Sequence, residues 1–346
     1  MIFFGQTLRF CDQKRTGGSV SNMLRVFFAA ALCAIALIGN VVPSALAGPY
    51  PNGPITLVNP YAAGGPADVL ARTIIDPLKD VLGQPVVLLN KPGGATAIAA
   101  AYVAAAPPDG QTLLLGGASS HIVTPALTKV GYDGMRDFDF ICMVAAVPNV
   151  LVVRPGLPAT TVAELVSLAK QMPGKLNYGS VGIGSQPHLA AELFRQRTGT
   201  NITHVPYKGA APAIVDLLGG QIDLAFLNLP PLVPHVRAGA LRALAVAKLQ
   251  RAEQLPDVPT LDELGYSGFE VTTWYGLSAP AGTPNEITAK LADTFATVLR
   301  SPDVKAKLAS QGAEVFYLPP KQFVAYLADD ANRLRQLIKT ANITGE

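Results

Sequence analysis

The chain is poor in the residues that carry most protein chemistry. It has 3 Cys, 4 His and 1 Trp in 346 residues, and only 15% of it is charged. Cys11 and Cys33 both precede residue 48, which leaves Cys142 alone in the body of the chain. A single thiol excludes an intrachain disulfide and a thiolate metal site there. Its surroundings, "FDFICMVAAV", read as apolar core. The body also lacks charge of either sign in excess. Residues 1–47 hold Arg9, Lys14, Arg15 and Arg25 against Asp12, so the rest has 27 less 4 basic and 24 less 1 acidic residues, a balance of zero. That balance excludes an electrostatic footprint for nucleic acid or an anionic membrane surface.

Catalytic spacing is missing as well. No H-E-x-x-H and no P-loop occurs. "GIGSQ" (182–186) puts serine one position late for a hydrolase elbow. "GSVGIG" does not fit the dinucleotide fingerprint. His204 and His235 read as structural or surface groups. His121 and His188 follow glycine–serine loops and read equally as site groups or as caps. No nucleophile, base and orienter can be assembled, so the expectation is a protein that is not an enzyme and has neither cofactor nor metal.

Among what is present, the start of the chain reads as an export signal. Met23-Leu24-Arg25 leads into "VFFAAALCAIALIG" (26–39), and Ala45 and Ala47 give an A-x-A arrangement before Gly48. The apolar run is too short for a spanning helix, against the rival reading of an uncleaved anchor. Residues 1–22 read as a misplaced start, 23–47 as a cleavable signal peptide, and the mature protein as periplasmic.

From residue 55 strands and helices alternate: strands at 55–61, 85–90 and 112–117, with helices at 66–83 and 93–107. The pattern restarts near 150, with strands at 149–155, 176–180, 202–207, 222–229 and 241–248 and helices at 161–172, 185–199 and 211–220. A strand at 273–280 and helices near 284–300, 303–311 and 320–342 close the chain. Such alternation predicts parallel α/β sheets flanked by helices. Residues 48–149 with 274–346 form the first expected lobe and 150–273 the second. The crossings fall near 147–150 and 270–276, with a ligand cleft between the lobes.

The stretch "NPYAAGGPADVLAR" (59–72) sets the chemistry of that cleft. Pro66 suits the first position of a helix. The N–H groups of Gly64, Gly65, Ala67 and Asp68 then have no intrahelical acceptor. Amides at a helix mouth hold a carboxylate without a cation. An ordinary strand-to-helix turn capped by Asp68 is the competing reading. "GGASSH" (116–121), "GSVGIGSQPH" (179–188), "YKGAAPA" (207–213) and "LNLPP" (227–231) also follow strands, so several such loops meet at the carboxyl ends of the sheet.

These loops carry a resemblance. "ITLVNPYAAGGPADVLAR", "LGQPVVLLNKPGGATAIAAAYVAAAPPDGQTLLLG", "YGSVGIGSQPHLAAELFRQRTG", "HVPYKGAAPAIVDLLGGQIDL", "LRALAVAKLQRAEQLPDVPTLDELG" and "WYGLSAPAGTP" occur in order over residues 50–345. The chain thereby resembles the Bug family of periplasmic solute receptors of tripartite tricarboxylate transporters. The resemblance implies a two-lobed, type II periplasmic-binding-protein-like fold, a small carboxylate ligand, membrane transporter subunits as partners, and a monomer. It implies a pincer of Tyr61, Ala62, Ala63, Gly64, Gly65, Ala67 and Asp68 against Ala118, Ser119, Ser120 and His121. Ser180, Ser185 and His188 would close from the second lobe, with Tyr207, Lys208, Gly209 and Asn228. Lys208 reads equally as a solvated loop lysine. Two positions depart from the family: Ala67 stands where threonine is frequent, and Leu227 where an acid is frequent. A receptor that signals to a sensor kinase is the alternative reading, and a periplasmic serine hydrolase a more distant one.

Overall fold

The computed structural model describes residues 50–344 apart from 311–312. The expected signal peptide and the early start lie outside the described residues. Everything from Tyr50 onward groups as one unit.

Strand β1 (Ile55–Asn59) is apolar on both faces, as a central parallel strand should be. It pairs in parallel with β2 (Val86–Asn90) on one side and β3 (Thr112–Gly116) on the other. Helix α1 (Pro66–Leu82) joins β1 to β2 and buries Leu70, Ile74, Leu78 and Leu82 along one face, at i, i+4 spacing. Gly83 ends it at φ 67°, its N–H bonded to the Lys79 carbonyl. Between β2 and β3 the chain differs from the single helix expected at 93–107. Gly94–Thr96 form a 3-10 turn with Ala95 at φ 48° and Thr96 at φ 83°, and α2 spans only Ala97–Ala104. Two adjacent left-handed residues break the helix that the alanines favour.

β4 (Phe138–Val153) is a 16-residue strand whose last 13 residues are all buried. Residues 147–150, the expected crossing, lie inside it. The first part of β4 pairs antiparallel with β9 (Thr272–Pro280), and its last five residues pair with β7 (Leu224–Asn228). β4 continues through the turn-favouring Pro148-Asn149 because β9 pairs with it up to Pro148 and β7 from Asn149 onward. The sheet order is β2-β1-β3-β9-β4-β7-β5-β6, with β5 at Asn177–Ser180 and β6 at Thr203–Pro206. β8 (Arg242–Val246) and β10 (Glu314–Leu318) also pair with β4. In the second part β5 runs parallel to β6 and β7; α4 (Val162–Gln171) joins β4 to β5, α5 (Gln186–Thr198) joins β5 to β6 and α6 (Ala210–Leu218) joins β6 to β7. This is the alternating strand–helix architecture with one curled, mixed sheet that a type II periplasmic-binding-protein-like fold requires.

Three elements were illegible as such in the sequence. Residues 119–127 form a π turn (Ser119–Val123) running into α3 (Thr124–Leu127), where the pattern suggested a loop over 116–121 and no element after it. α7 (Leu229–Arg237) carries prolines at its start, where a helix tolerates them, and Pro234 inside. β10 is the third. α8 (Asn285–Arg300), α9 (Pro302–Ser310) and α10 (Pro320–Thr340) complete the chain.

The core tightens where α10 meets β9. Trp274 is buried with its Nε1–H donating to Asp330 Oδ2 at 2.8 Å, and Arg333 holds the other oxygen of that carboxylate. Phe323 lies edge-on to Trp274 and over Gly276, where an added Cβ would stand 2.2 Å from the Phe323 ring. Phe323 is itself buried and has nowhere to retreat. Gly276→Ala is therefore expected to lower the unfolding free energy by about 2 kcal/mol, read from the urea midpoint, by overpacking the core.

Candidate functional site

The carboxyl ends of β1, β3, β5 and β6 each open into a turn or loop that carries candidate residues, whereas β7 passes at Asn228 straight into α7 at Leu229, where the sequence suggested a loop over 227–231. The glycine loop after β1 is fixed by its own side chains. Asn59 Oδ1 accepts from the Tyr61 N–H at 3.2 Å, and Asn59 Nδ2 donates to Asn90 Oδ1 at 3.0 Å. Asn90 Nδ2 in turn donates to Asp68 Oδ1 at 2.7 Å. The other Asp68 oxygen accepts from the Gly64 N–H at 3.0 Å and from Arg72 Nε at 2.9 Å. Asp68 is buried, and the hydrogen bond from Arg72 leads the causes that hold its carboxyl down to about 2.

Asp68 thus occupies one of the four amides counted at this helix mouth. Gly64 takes φ 81° to present it, a conformation glycine reaches without strain. Val69 N–H closes the first intrahelical bond to Gly65. Among the described residues no acceptor meets the N–H groups of Gly65, Ala67 and Asp68. Three amides at the positive end of a 17-residue helix remain to be offered. Ala62 and Ala63 are exposed on the outer part of the loop.

The loop after β3 meets this one. An added Cβ at Gly117 would lie 2.7 Å from the Trp274 carbonyl oxygen and 3.4 Å from the Tyr61 hydroxyl. Only glycine admits so close an approach, and it brings the Tyr61 hydroxyl beside Ser119. Burial pushes the Tyr61 phenol up to about 12, so it remains a neutral donor. Ala118 and Ser120 are buried and Ser119 partly so. His121 sits on this turn, but its ring faces the core. Nδ1 is 2.9 Å from the Gly134 carbonyl, Nε2 is 3.3 Å from Ser278 Oγ, and Phe138 and Phe140 pack edge-on against it. Burial lowers its pKa to about 4. His121 therefore shapes the turn from beneath.

In the second part of the sheet, Ser180 ends β5, Ser185 is the N-cap of α5 and His188 stands on its first turn, and two imidazoles brace the turn between them. Ser180 Oγ is 2.7 Å from His204 Nε2 and accepts from the Gly182 N–H. His188 Nδ1 accepts from the Gly184 N–H at 3.2 Å, and Ser185 Oγ caps α5 by accepting from the His188 N–H. The His188 and His204 rings stack with centroids 4.2 Å apart, and Tyr178 continues the stack. The Tyr178 hydroxyl donates to Glu192, which Arg195 also holds. Ser180 is fully buried, so its contact with His204 fixes the loop and presents no nucleophile. Burial lowers the pKa of His204 to about 4, helped by His188, and lowers that of His188 too.

Tyr207 bonds back to this loop through its N–H to the Ser180 carbonyl, while its hydroxyl donates to Asp216 at 2.7 Å. Lys208 is exposed, and Gly209 at φ 127° precedes α6. Asn228 has a different setting. Its amide donates to Asn149 Oδ1 at 3.0 Å and to Thr273 Oγ1 at 2.8 Å, tying β7 to β4 and β9 at the strand crossing. Asn149 in turn donates to the Val271 carbonyl. Leu227 is buried in the core. The supporting residues Asn59, Asn90, Asn149 and Thr273 escaped the sequence reading. For Asn59 and Asn90 the one legible signal is an asparagine at the end of an apolar strand, while Asn149 and Thr273 lie inside strands and carry none. Among the described residues no three His, Cys, Asp or Glu side chains gather as a metal site.

The two parts touch at Gly184, where an added Cβ would lie 3.1 Å from Val123 and Leu127 side chains. The described groups also set the acid response. Imidazoles with lowered folded pKa leave the unfolded chain to bind protons first, so stability is full above the ordinary 6.5 and falls as pH drops toward about 4. Melting temperature should decline through that window, and less steeply in His188→Gln, which retains an acceptor for Gly184. Asp68 acts lower. Its contribution is present above the ordinary 3.8 and is lost as pH falls to about 2, a loss that Asp68→Asn should remove from the acid titration of stability.

Residues 70–343 match the family model described as the tripartite tricarboxylate transporter family receptor. The chain is similar to protein BugT of Bordetella pertussis, 37% identical over 292 residues that span 84% of this chain and 90% of that protein. Among solved structures it is similar to R. palustris Rpa4515 with adipate, at 40% identity and a TM-score of 0.78, covering 85% of this chain and 99% of that one. It is likewise similar to MatC from Rhodopseudomonas palustris with bound malate, at 33% identity and a TM-score of 0.74, covering 84% and 100%. The chain belongs to the tripartite tricarboxylate transporter family of receptors: it is a periplasmic solute-binding protein and not an enzyme.

Proposed function

We propose that the protein captures a small aliphatic acid by seating its carboxylate on the N–H groups of Gly65, Ala67 and Asp68, beside the Tyr61 and Ser119 hydroxyls. The observation that carries this reading is the set of amides left without acceptors at the mouth of α1, on a loop that Asp68 holds rigid from behind. Aligned peptide dipoles supply about half a positive charge there, enough to stabilise an anion when water is partly excluded. The one candidate cation, Lys208, is exposed on the loop after β6. Adipate and malate, recorded with the two similar structures, are both dicarboxylates, which supports an aliphatic mono- or dicarboxylate as the ligand class.

Residues 48–149 with 274–346 and residues 150–273 act in this reading as two lobes that close on the acid, with β4 and β9 as the connection. Ser180, Ser185 and His188, with Tyr207 and Gly209, close the second side. The loaded protein, a monomer freed from its signal peptide, then delivers the acid to the membrane subunits of the transporter.

Thermal denaturation of the purified protein against a panel of mono-, di- and tricarboxylates, aromatic acids and amino acids tests the reading. At least one aliphatic acid should raise the melting temperature, since a ligand that binds only the folded state stabilises it. Ser119→Ala should weaken that acid about tenfold, the value of one hydrogen bond to a charged group. A panel without any shift, or an unchanged affinity in Ser119→Ala together with Gly65→Pro, overturns it.

A further inference from the structure

Six buried side-chain atoms among the described residues lack a hydrogen-bond partner: Thr96 Oγ1, Ser120 Oγ, Gln186 Nε2, Gln186 Oε1, Arg195 Nε and Gln254 Oε1. Four of the six fall on the 3-10 turn after β2, the π turn after β3 and the first residue of α5 after β5. Buried polar groups are almost always paired, and each one left bare costs about 1–3 kcal/mol. Gln186 is the extreme case, because both ends of its amide are bare and the residue is 5% exposed.

These three places are neighbours. Thr124 Oγ1 donates to the Ala95 carbonyl, which ties the Thr96 turn to the helical segment that begins at Ser119. On that same segment Val123 and Leu127 pack against Gly184, two residues before Gln186. Gln186 is the first residue of α5, directly after the capping Ser185. Thr96 is held at φ 83°, an unfavourable conformation for a β-branched residue. Strain and bare polar atoms concentrated at the mouth of the sheet mark a place shaped for a partner.

We propose that Gln186, with the Thr96 and Ser120 hydroxyls, reads a hydroxyl group on the acid, so that the receptor selects hydroxylated aliphatic carboxylates over their deoxy counterparts. This rests on the carboxylate reading given above. The chemistry follows from the amide. Its oxygen needs a donor and its nitrogen an acceptor. A second carboxylate only accepts and would leave Oε1 bare. An ammonium only donates and would leave Nε2 bare. An alcohol does both, and the two neighbouring hydroxyls are equally able to donate or accept. A site whose buried polar groups await an alcohol rejects the analogue without it.

Isothermal titration calorimetry of two matched pairs decides it: butyrate against 3-hydroxybutyrate and succinate against malate, with both enantiomers of each hydroxy acid. In at least one pair a hydroxylated member should bind more than about tenfold tighter. Gln186→Met keeps the volume and removes the polar atoms. It should bring that pair to within about threefold by weakening only the hydroxy acid, while the deoxy acid binds as before. If deoxy acids bind as tightly as hydroxy acids to the wild type, the proposal falls and the carboxylate reading stands. If Gln186→Met folds and retains the preference, the proposal also falls. If no acid of either kind binds the wild type, both readings fall together. The wild-type ranking alone decides should the variant fail to fold.

Discussion

The site depends on one carboxylate. Asp68 is buried on the first turn of α1 and collects the Gly64 N–H, Arg72 and Asn90, which Asn59 holds in turn. That network sets the position of the glycine loop without using a ligand. It also determines which amides are left over. Had Asp68 turned outward, the loop would be a flexible turn with four loose N–H groups. With Asp68 turned inward, one amide is spent and three stay fixed in the backbone. Fixed dipoles hold an anion with little reorganisation, whereas a lysine at the same place would lose side-chain entropy on binding.

A second constraint acts at the strand crossing. β4 runs unbroken from the part of the sheet that carries the glycine loop to the part that carries the imidazole stack. Buried Asn149 and Asn228 and half-buried Thr273 form a polar clasp where β4, β7 and β9 come together, and both donors of the Asn228 side-chain amide are used within it. The proposed closure of two lobes would have to be accommodated around this clasp. Stacked neutral imidazoles hold the second loop in the same manner that Asp68 holds the first. Each loop is thus braced from behind by groups that do not face outward, which leaves backbone and small hydroxyls at the front.

Legibility in the sequence followed the range of the interactions involved. Pro66 at the helix start, the i, i+4 apolar stripe of α1 and the Gly83 stop are local, and each stands where the pattern puts it. The alternation of strands and helices was legible for the same reason, and so was the family, through many short runs in register. His121 shows where legibility ended. A histidine after Gly-Ala-Ser-Ser looks like a site group, but Gly134 and two phenylalanines, remote in sequence, draw its ring into the core. Asn228 likewise follows a strand as a ligand residue would, but its partners lie 79 and 45 positions away. The Gly94–Thr96 turn was hidden by alanines that favour a helix, because its left-handed residues are stabilised by neighbours and not by local preference.

By itself the sequence determined the fold class, the family, the absence of metal-binding thiolates from the body of the chain and the stretch whose amides lack helical partners. These rest on periodicity, composition and contacts within a few residues. Tertiary structure decided which amides Asp68 consumes, which way His121 and Asn228 turn, that β4 passes through the crossing without a break, and that Gln186 is buried with both ends bare. Each of those depends on groups brought together across long stretches of chain, whose burial and hydrogen bonding have no counterpart until the sheet has formed.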